Sequence, residues 1–328
     1  MKTIGVSALL DIGRGQWKVY SRDIREYCVQ FRPYFTQPLF DHHHVFVDES
    51  IRAIFEEELG VVPPPWMAVR FVNKDVFLNA NSRAWPLRPR IQAIMDSDVF
   101  KARIAPGRMH CPEVWCADYV ALTWSKLELL DTVRKMIGDD DACLVWADFA
   151  YFRSPTEIPL GQFDASRTCS TRLNLIAVNP VGPSDFDVFA TLRDAPERIA
   201  AAVIAGSSGV VKLATQDFWT HVEAGMEEGW VDDEQHIFLR CMNDRPTLYC
   251  VWDMNGWFKA LRYFSDTPSD FAEPLLLTDR RGMQYEHVPT ICALIPESSL
   301  AAYWLHLWAQ TFRNRGKTMW QWGISDEA

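Results

Sequence analysis

The sequence predicts an α/β protein built on a largely parallel central sheet. Strand-like and helix-like segments alternate through the first part of the chain, the connectivity that parallel strands require. The run CLVW (143–146) is short, bulky and apolar on both faces, as in a strand covered by helices on each side. Ahead of it, DYVALTWSKLELLDTVRKMIG (118–138) reads as a helix, with Val120, Trp124, Leu127, Leu130 and Val133 along one face and Lys126 off the centre of that stripe.

The remaining elements follow in order. TIGVSALLD (3–11) reads as the first strand and runs into the glycine-containing loop IGRGQWK. Val19, Ile24, Tyr27, Cys28 and Phe31 then fall at near-helical spacing across VYSRDIREYCVQFRP. HVFVDE (44–49) is a second strand, and SIRAIFEEELG (50–60) is a helix with Ser50 as its N-cap and Gly60 at its end. MAVRFVNKDVF (67–77) is strand-like, and the proline-rich pieces VVPPPW and AWPLRPR read as turns or rigid connectors. A loop-rich span after residue 148 contains TRLNLIAVNP (171–180) as a further strand. No internal repeat, low-complexity tract or Gly/Ser linker divides the chain.

Composition bounds the function. With 328 residues, 48% hydrophobic content, 14 Trp and 19 Phe, the chain can bury a substantial core. A net charge of −10 counts against a nucleic-acid or anionic-membrane binder, since both need an electropositive face, but leaves room for a local basic pocket. The eight cysteines show no CxxC pair and no disulfide-scaffold density, so a reducing cytoplasm is the simplest location. The first residues read as a strand cut off by Asp11, not a signal peptide. No apolar stretch approaches the roughly 20 residues of a membrane span, so no segment is expected to cross a bilayer, and peripheral association with the inner membrane face stays open.

Several motifs have both a chemical and a purely structural reading. IGRG lacks the spacing of a phosphate loop or a dinucleotide fingerprint. The triplet His42-His43-His44 cannot converge on one ion within a strand, because successive side chains point to opposite faces. Asp148 stands where the CLVW strand ends, the edge at which open α/β sheets bind ligands; it can face a ligand, or it can cap the next segment or pair with Arg153. In WVDDEQHIFLR (230–240) three consecutive acids precede an apolar run, which serves equally to cap a helix or to line a site.

The blocks ALLDIGRGQW, WSKLELL, VWADFAYFR, AGSSGVV and WVDDEQHI, in that order over roughly residues 5–240, resemble the bacterial HtrL/YibB family. They are similar in order to nucleotide-sugar glycosyltransferases of the GT-A fold, including those of family 8. The resemblance implies a GT-A-like domain over 1–280 and a C-terminal extension over 281–328 packed on or closing over the site. It implies Asp11 and Arg14 beside the nucleotide, Lys126 near its phosphates, and the small residues Gly206 and Ser207 close to the ligand. Asp148 stands at the metal-binding acid of a DxD motif, and Asp233, Glu234 and Gln235 would act at the sugar and acceptor.

Trp146 replaces the first acid of DxD, so one carboxylate is left to hold Mn²⁺ or Mg²⁺ with diphosphate and water. The expected reaction is transfer of a sugar from a nucleotide-diphosphate donor, UDP-sugar favoured, to a glycan or other hydroxyl acceptor. The alternatives are a non-catalytic nucleotide-sugar or glycan-binding module on the same fold, and a metal-dependent nucleotide-sugar hydrolase. RNRGKTMWQW (313–322) reads either as a lid over the diphosphate or as a surface helix end.

Overall fold

The computed structural model describes residues 1–254 and 256–266, together with the backbone of the strands Leu275–Leu277 and Tyr285–His287. Apart from the latter strand, the expected extension over 281–328, including the 313–322 segment, lies outside the described residues.

The central sheet is assembled from β1 (Thr3–Leu9), β2 (His42–Asp48), β3 (Met67–Val72), β4 (Cys143–Ala147), β5 (Leu173–Ala177), β6 (Ile199–Ser207) and β7 (Tyr249–Asp253). Their spatial order is β3-β2-β1-β4-β6-β5-β7. β1 pairs in parallel with β2 and β4, β2 with β3, and β5 with β7. Only β6 runs antiparallel to its neighbours β4 and β5. The expected largely parallel α/β sheet therefore forms, with one reversed strand that the alternation of apolar runs does not announce.

Helices cover both faces. One face carries α3 (Lys74–Asn81), α4 (Arg88–Asp96), α5 (Asp98–Lys101), α6 (Pro112–Trp115), α7 (Ala117–Ile137), α8 (Val188–Asp194), α9 (Ser208–Glu227) and α10 (Glu234–Asp244). The other carries α1 (Ile24–Thr36), α2 (Arg52–Leu59) and α11 (Ala260–Ser265). Strand β4 shows why two cores are needed. Leu144 and Trp146 enter the first core, whereas Cys143, Val145 and Ala147 enter the second. With a period of two, Asp148 falls on the Trp146 side, the side roofed by α7.

Local chemistry moves several boundaries. Helix α1 begins at Ile24 and not near Val19, because the Asp23 side chain accepts from Arg25 N and caps the helix there. The expected cap Ser50 instead donates its backbone N–H to Asp48 across a short 3₁₀ turn, and α2 starts at Arg52. β3 ends at Val72, since Asn73 accepts from Val76 N and turns NKDVF into a helix. AWPLRPR is not a connector: Trp85–Leu87 forms a 3₁₀ turn and Arg88 opens α4. Its prolines fall in first turns, where no backbone donor is needed. The three histidines lie within β2, and His43 is buried with its Nε2 2.9 Å from Ser7 Oγ.

Gly5 marks a tight point in β1, where an added Cβ would overlap the buried ring of Phe40. Gly5→Ala should lower stability in urea by about 1–3 kcal/mol. Unchanged stability would mean that the Phe40 ring is not seated against this strand.

Candidate active site

The chain leaves β1 toward β2 on one side, while β4 joins β1 on the other, so the carboxyl ends of β1 and β4 flank a topological switch point. A crevice lies there, walled by residues from 8–22, 148–153, 194–202 and 233–236 and by the α7 face that carries Lys126. Its narrow part beside β1 has a volume of about 180 Å³. The wider part toward α10 has about 590 Å³. Arg14, Arg22, Lys126, Asp148 and Arg153 border both parts, so the two form one continuous cleft.

Lys126 is the hub. Its Nζ lies 3.0 Å from Asp148 Oδ1 and 2.8 Å from Glu234 Oε1, and it donates to Ala201 O at 3.0 Å. Burial disfavours the ammonium, but Asp148 and then Glu234 outweigh that cost and raise its pKa above the ordinary lysine value. The same Asp148 oxygen accepts from Trp146 Nε1 at 2.7 Å. Trp146, two residues before Asp148 on the same side of the strand, thus orients its carboxylate. Glu234 is almost fully buried, and its Oε2 has no hydrogen-bond partner among the described residues.

On the β1 side, Arg14 donates to Tyr20 O (2.9 Å) and Tyr27 Oη (3.0 Å) and lies over the Trp17 ring. Arg153 donates through Nε to Ala150 O. Among the described residues, no carboxylate forms an ion pair with Arg14, Arg22 or Arg153. Burial, and repulsion from Arg22 and Arg14, lower the pKa of Arg153. These cations crowd one another in an otherwise acidic protein.

The opposite wall is the N-terminus of α10. The Asp233 side chain caps the helix by accepting from Gln235 N at 3.0 Å. Trp124 on α7 donates its indole N–H to Asp232 O at 2.8 Å and fixes the segment. Burial, then Glu234 and Asp232, push the Asp233 carboxyl well above the usual carboxylate range. Asp232 Oδ2 lies 2.8 Å from His236 Nδ1, an ion-pair distance, although neither atom has a partner in good hydrogen-bond geometry. Burial opposes the His236 imidazolium, but Asp232 wins and raises its pKa to about 9.

A family model described as a bacterial protein of unknown function (HtrL_YibB) matches residues 2–266. The chain belongs to the HtrL/YibB family. Protein HtrL of Escherichia coli (strain K12) is 23% identical over 272 residues, covering 79% of this chain and 91% of that protein. Among solved structures, mouse xyloside xylosyltransferase 1 in its apo form gives a TM-score of 0.39 at 10% identity, covering 77% of this chain and 84% of the other. Mannose-6-phosphate isomerase from Helicobacter pylori gives 0.31 at 8% identity, with coverages of 70% and 78%. Likenesses this slight say nothing about what an HtrL/YibB protein does.

In this HtrL/YibB chain, Asp11, Arg14, Lys126, Asp148, Asp233, Glu234 and Gln235 border the one crevice. Gly206 and Ser207 do not. Because β6 is reversed, they pair with Leu144 and Cys143 at the far end of β4. Gly206 is small because Leu173, Val210 and Val211 close on it, a packing requirement. The small residues of this strand that do reach the crevice are Ala201 and Ala202, near its start. Lys126 is ion-paired within the crevice. Of the tryptophans, Trp219, Trp230 and Trp252 are core residues, while Trp257 borders the wide part. Among the described residues no helix is long and apolar enough to cross a membrane.

Asp148 fits a divalent ion poorly. The ammonium of Lys126 already stands between its carboxylate and that of Glu234. Among the described residues two groupings bring potential ligand atoms together, Asp217/His221/Cys241 and Asp232/Asp233/His236, and neither includes Asp148. The first is sealed in the core, where Tyr249 donates to Asp217.

Two outcomes follow from this electrostatic arrangement. Lys126→Met leaves two carboxylates without their cation and should cost about 3–5 kcal/mol in chemical denaturation, part of which Glu234→Gln in the same chain restores. Strict additivity of the two changes would show that they are not coupled. The His236 pKa is raised in the folded state, so its stabilising contribution is present below about pH 6.5 and is lost as pH rises through about 9. The wild type should therefore lose no more than about 3 kcal/mol across that window, and His236→Gln distinctly less. Identical melting profiles for the two proteins would remove the Asp232–His236 pair from the account.

Proposed function

We propose that the chain is a glycosyltransferase that moves a sugar from a nucleotide-diphosphate donor to a glycan or other hydroxyl acceptor. A uridine diphosphate sugar is the favoured donor, a preference that rests on the family resemblance. The observation that carries the reading is the division of one crevice into a wall of arginines with no carboxylate partner among the described residues and a wall of buried acids, with Lys126 at the seam. Nucleotide-sugar chemistry needs that division.

On the arginine side, Arg14, Arg22 and Arg153 would bind the diphosphate and neutralise the charge that grows on it as the glycosidic bond breaks. The narrow part of about 180 Å³, bordered by Tyr27 and Tyr119, would take the nucleoside. On the acid side, Asp233 would accept the proton of the acceptor hydroxyl. Its pKa, raised by burial and by Glu234 and Asp232, makes its carboxylate a stronger base than an ordinary one. The orphaned Oε2 of Glu234 would accept from a sugar hydroxyl, and the wide part leaves room for sugar and acceptor together.

A divalent ion is not assigned to Asp148. The Asp232/Asp233/His236 grouping favours the second reading, a metal-dependent hydrolase of nucleotide sugars, in which water takes the acceptor's place. Absence of paired cysteine spacing is in keeping with a cytoplasmic location.

Sugar transfer and slow donor hydrolysis, followed by chromatography with a panel of UDP-sugars, test the proposal. Asp233→Asn is the informative variant, because Asn still caps a helix. Turnover should fall roughly 10²–10⁴-fold with donor affinity little changed. Full activity in the variant would exclude Asp233 as the base. Release of free sugar or phosphate with every acceptor offered would favour the hydrolase.

A further inference from the structure

We propose that diphosphate recognition in this crevice needs no divalent metal, because the Lys126 ammonium occupies the position where an ion shared by Asp148 and Glu234 would sit, and Arg14, Arg22 and Arg153 supply the positive charge that meets the diphosphate. The inference rests on the nucleotide-sugar reading and specifies how that site holds its ligand.

Lys126 is fixed in place. An ammonium has three N–H donors, and the three acceptors here are Asp148 Oδ1, Glu234 Oε1 and Ala201 O, at 3.0, 2.8 and 3.0 Å. Trp146 Nε1 adds a second donor to the same Asp148 oxygen. A Mg²⁺ or Mn²⁺ ion shared by Asp148 and Glu234, at the roughly 2.0–2.2 Å that such oxygens require, would stand where the ammonium now stands. To enter it would have to expel a like charge from all three partners. Where a DxD strand offers a second carboxylate, this one offers an indole donor, which assists a lysine pair and cannot ligate a metal.

The arginines complete the site. A guanidinium fork matches phosphate oxygens in a way that a point charge does not. Arg14 is braced by Tyr20 and Tyr27, and Arg153 by Ala150, so both are held before any anion arrives. Neither they nor Arg22 have a carboxylate partner among the described residues, and burial and the nearby Arg22 and Arg14 disfavour the charged form of Arg153, a penalty that a bound anion relieves.

Calorimetry of UDP binding to the full chain, in EDTA and with added Mn²⁺, tests the idea. The dissociation constant should agree within about twofold between the two buffers, a difference worth well under 1 kcal/mol. Arg153→Ala, with its folding checked by thermal melting, should weaken binding by about tenfold or more in both. Binding that appears only with Mn²⁺, or that Mn²⁺ tightens by more than about tenfold, would overturn the inference and leave the nucleotide-sugar reading standing. Unchanged affinity in Arg153→Ala would also overturn it. No binding by the folded protein in either buffer would remove both.

Discussion

The Lys126 ammonium, shared between Asp148 and Glu234, is the contact on which the rest of the crevice depends. It joins α7, the end of β4 and the start of α10, three segments far apart in the chain. A buried charge is tolerated only when its hydrogen-bonding capacity is met, and here three acceptors meet it. Without that cation, two carboxylates would face each other across the seam, and the α10 N-terminus would be pushed away from the sheet edge. The same charge separates the arginine wall from the acid wall.

The sheet decides which residues can take part. Parallel pairing of β1 with β4 brings residues 10–22 and 148–153 to one edge, where α7 can supply the lysine from above. The reversal of β6 brings its beginning, Ala201 and Ala202, to that edge and carries its end away. Small side chains at 201 and 202 let Lys126 reach the backbone carbonyl beside Asp148. Asp148 itself is pinned from below, since its backbone N–H donates to Ala202 O at 2.8 Å.

Much of this was legible in the residues, and the exceptions have physical causes. A strand apolar on both faces and ended by an acid is a local pattern, so the position of Asp148 at the carboxyl end of β4 is legible from sequence alone. The DDEQ segment was legible as a helix entry for the same reason. Lys126 looked like a residue beside an apolar stripe, because its burial depends on Glu234, 108 residues away, and helical spacing carries no trace of such a partner. Arg22 and Arg153 sit in irregular segments without periodicity. The only signal for Arg153 was its closeness to Asp148, which suggested a pairing that Lys126 takes instead. Gly206 and Ser207 misled because smallness serves packing as readily as ligand approach, and only strand direction separates the two uses.

The central claim is that side-chain cations on one wall hold a diphosphate while Lys126 remains bound to its two acids. A crystal structure of the chain grown with UDP and EDTA tests this most directly. The account predicts diphosphate density against Arg14, Arg22 and Arg153, with the Lys126 contacts to Asp148 and Glu234 intact. Diphosphate density away from these arginines, or a Lys126 side chain swung free of both acids, would contradict it.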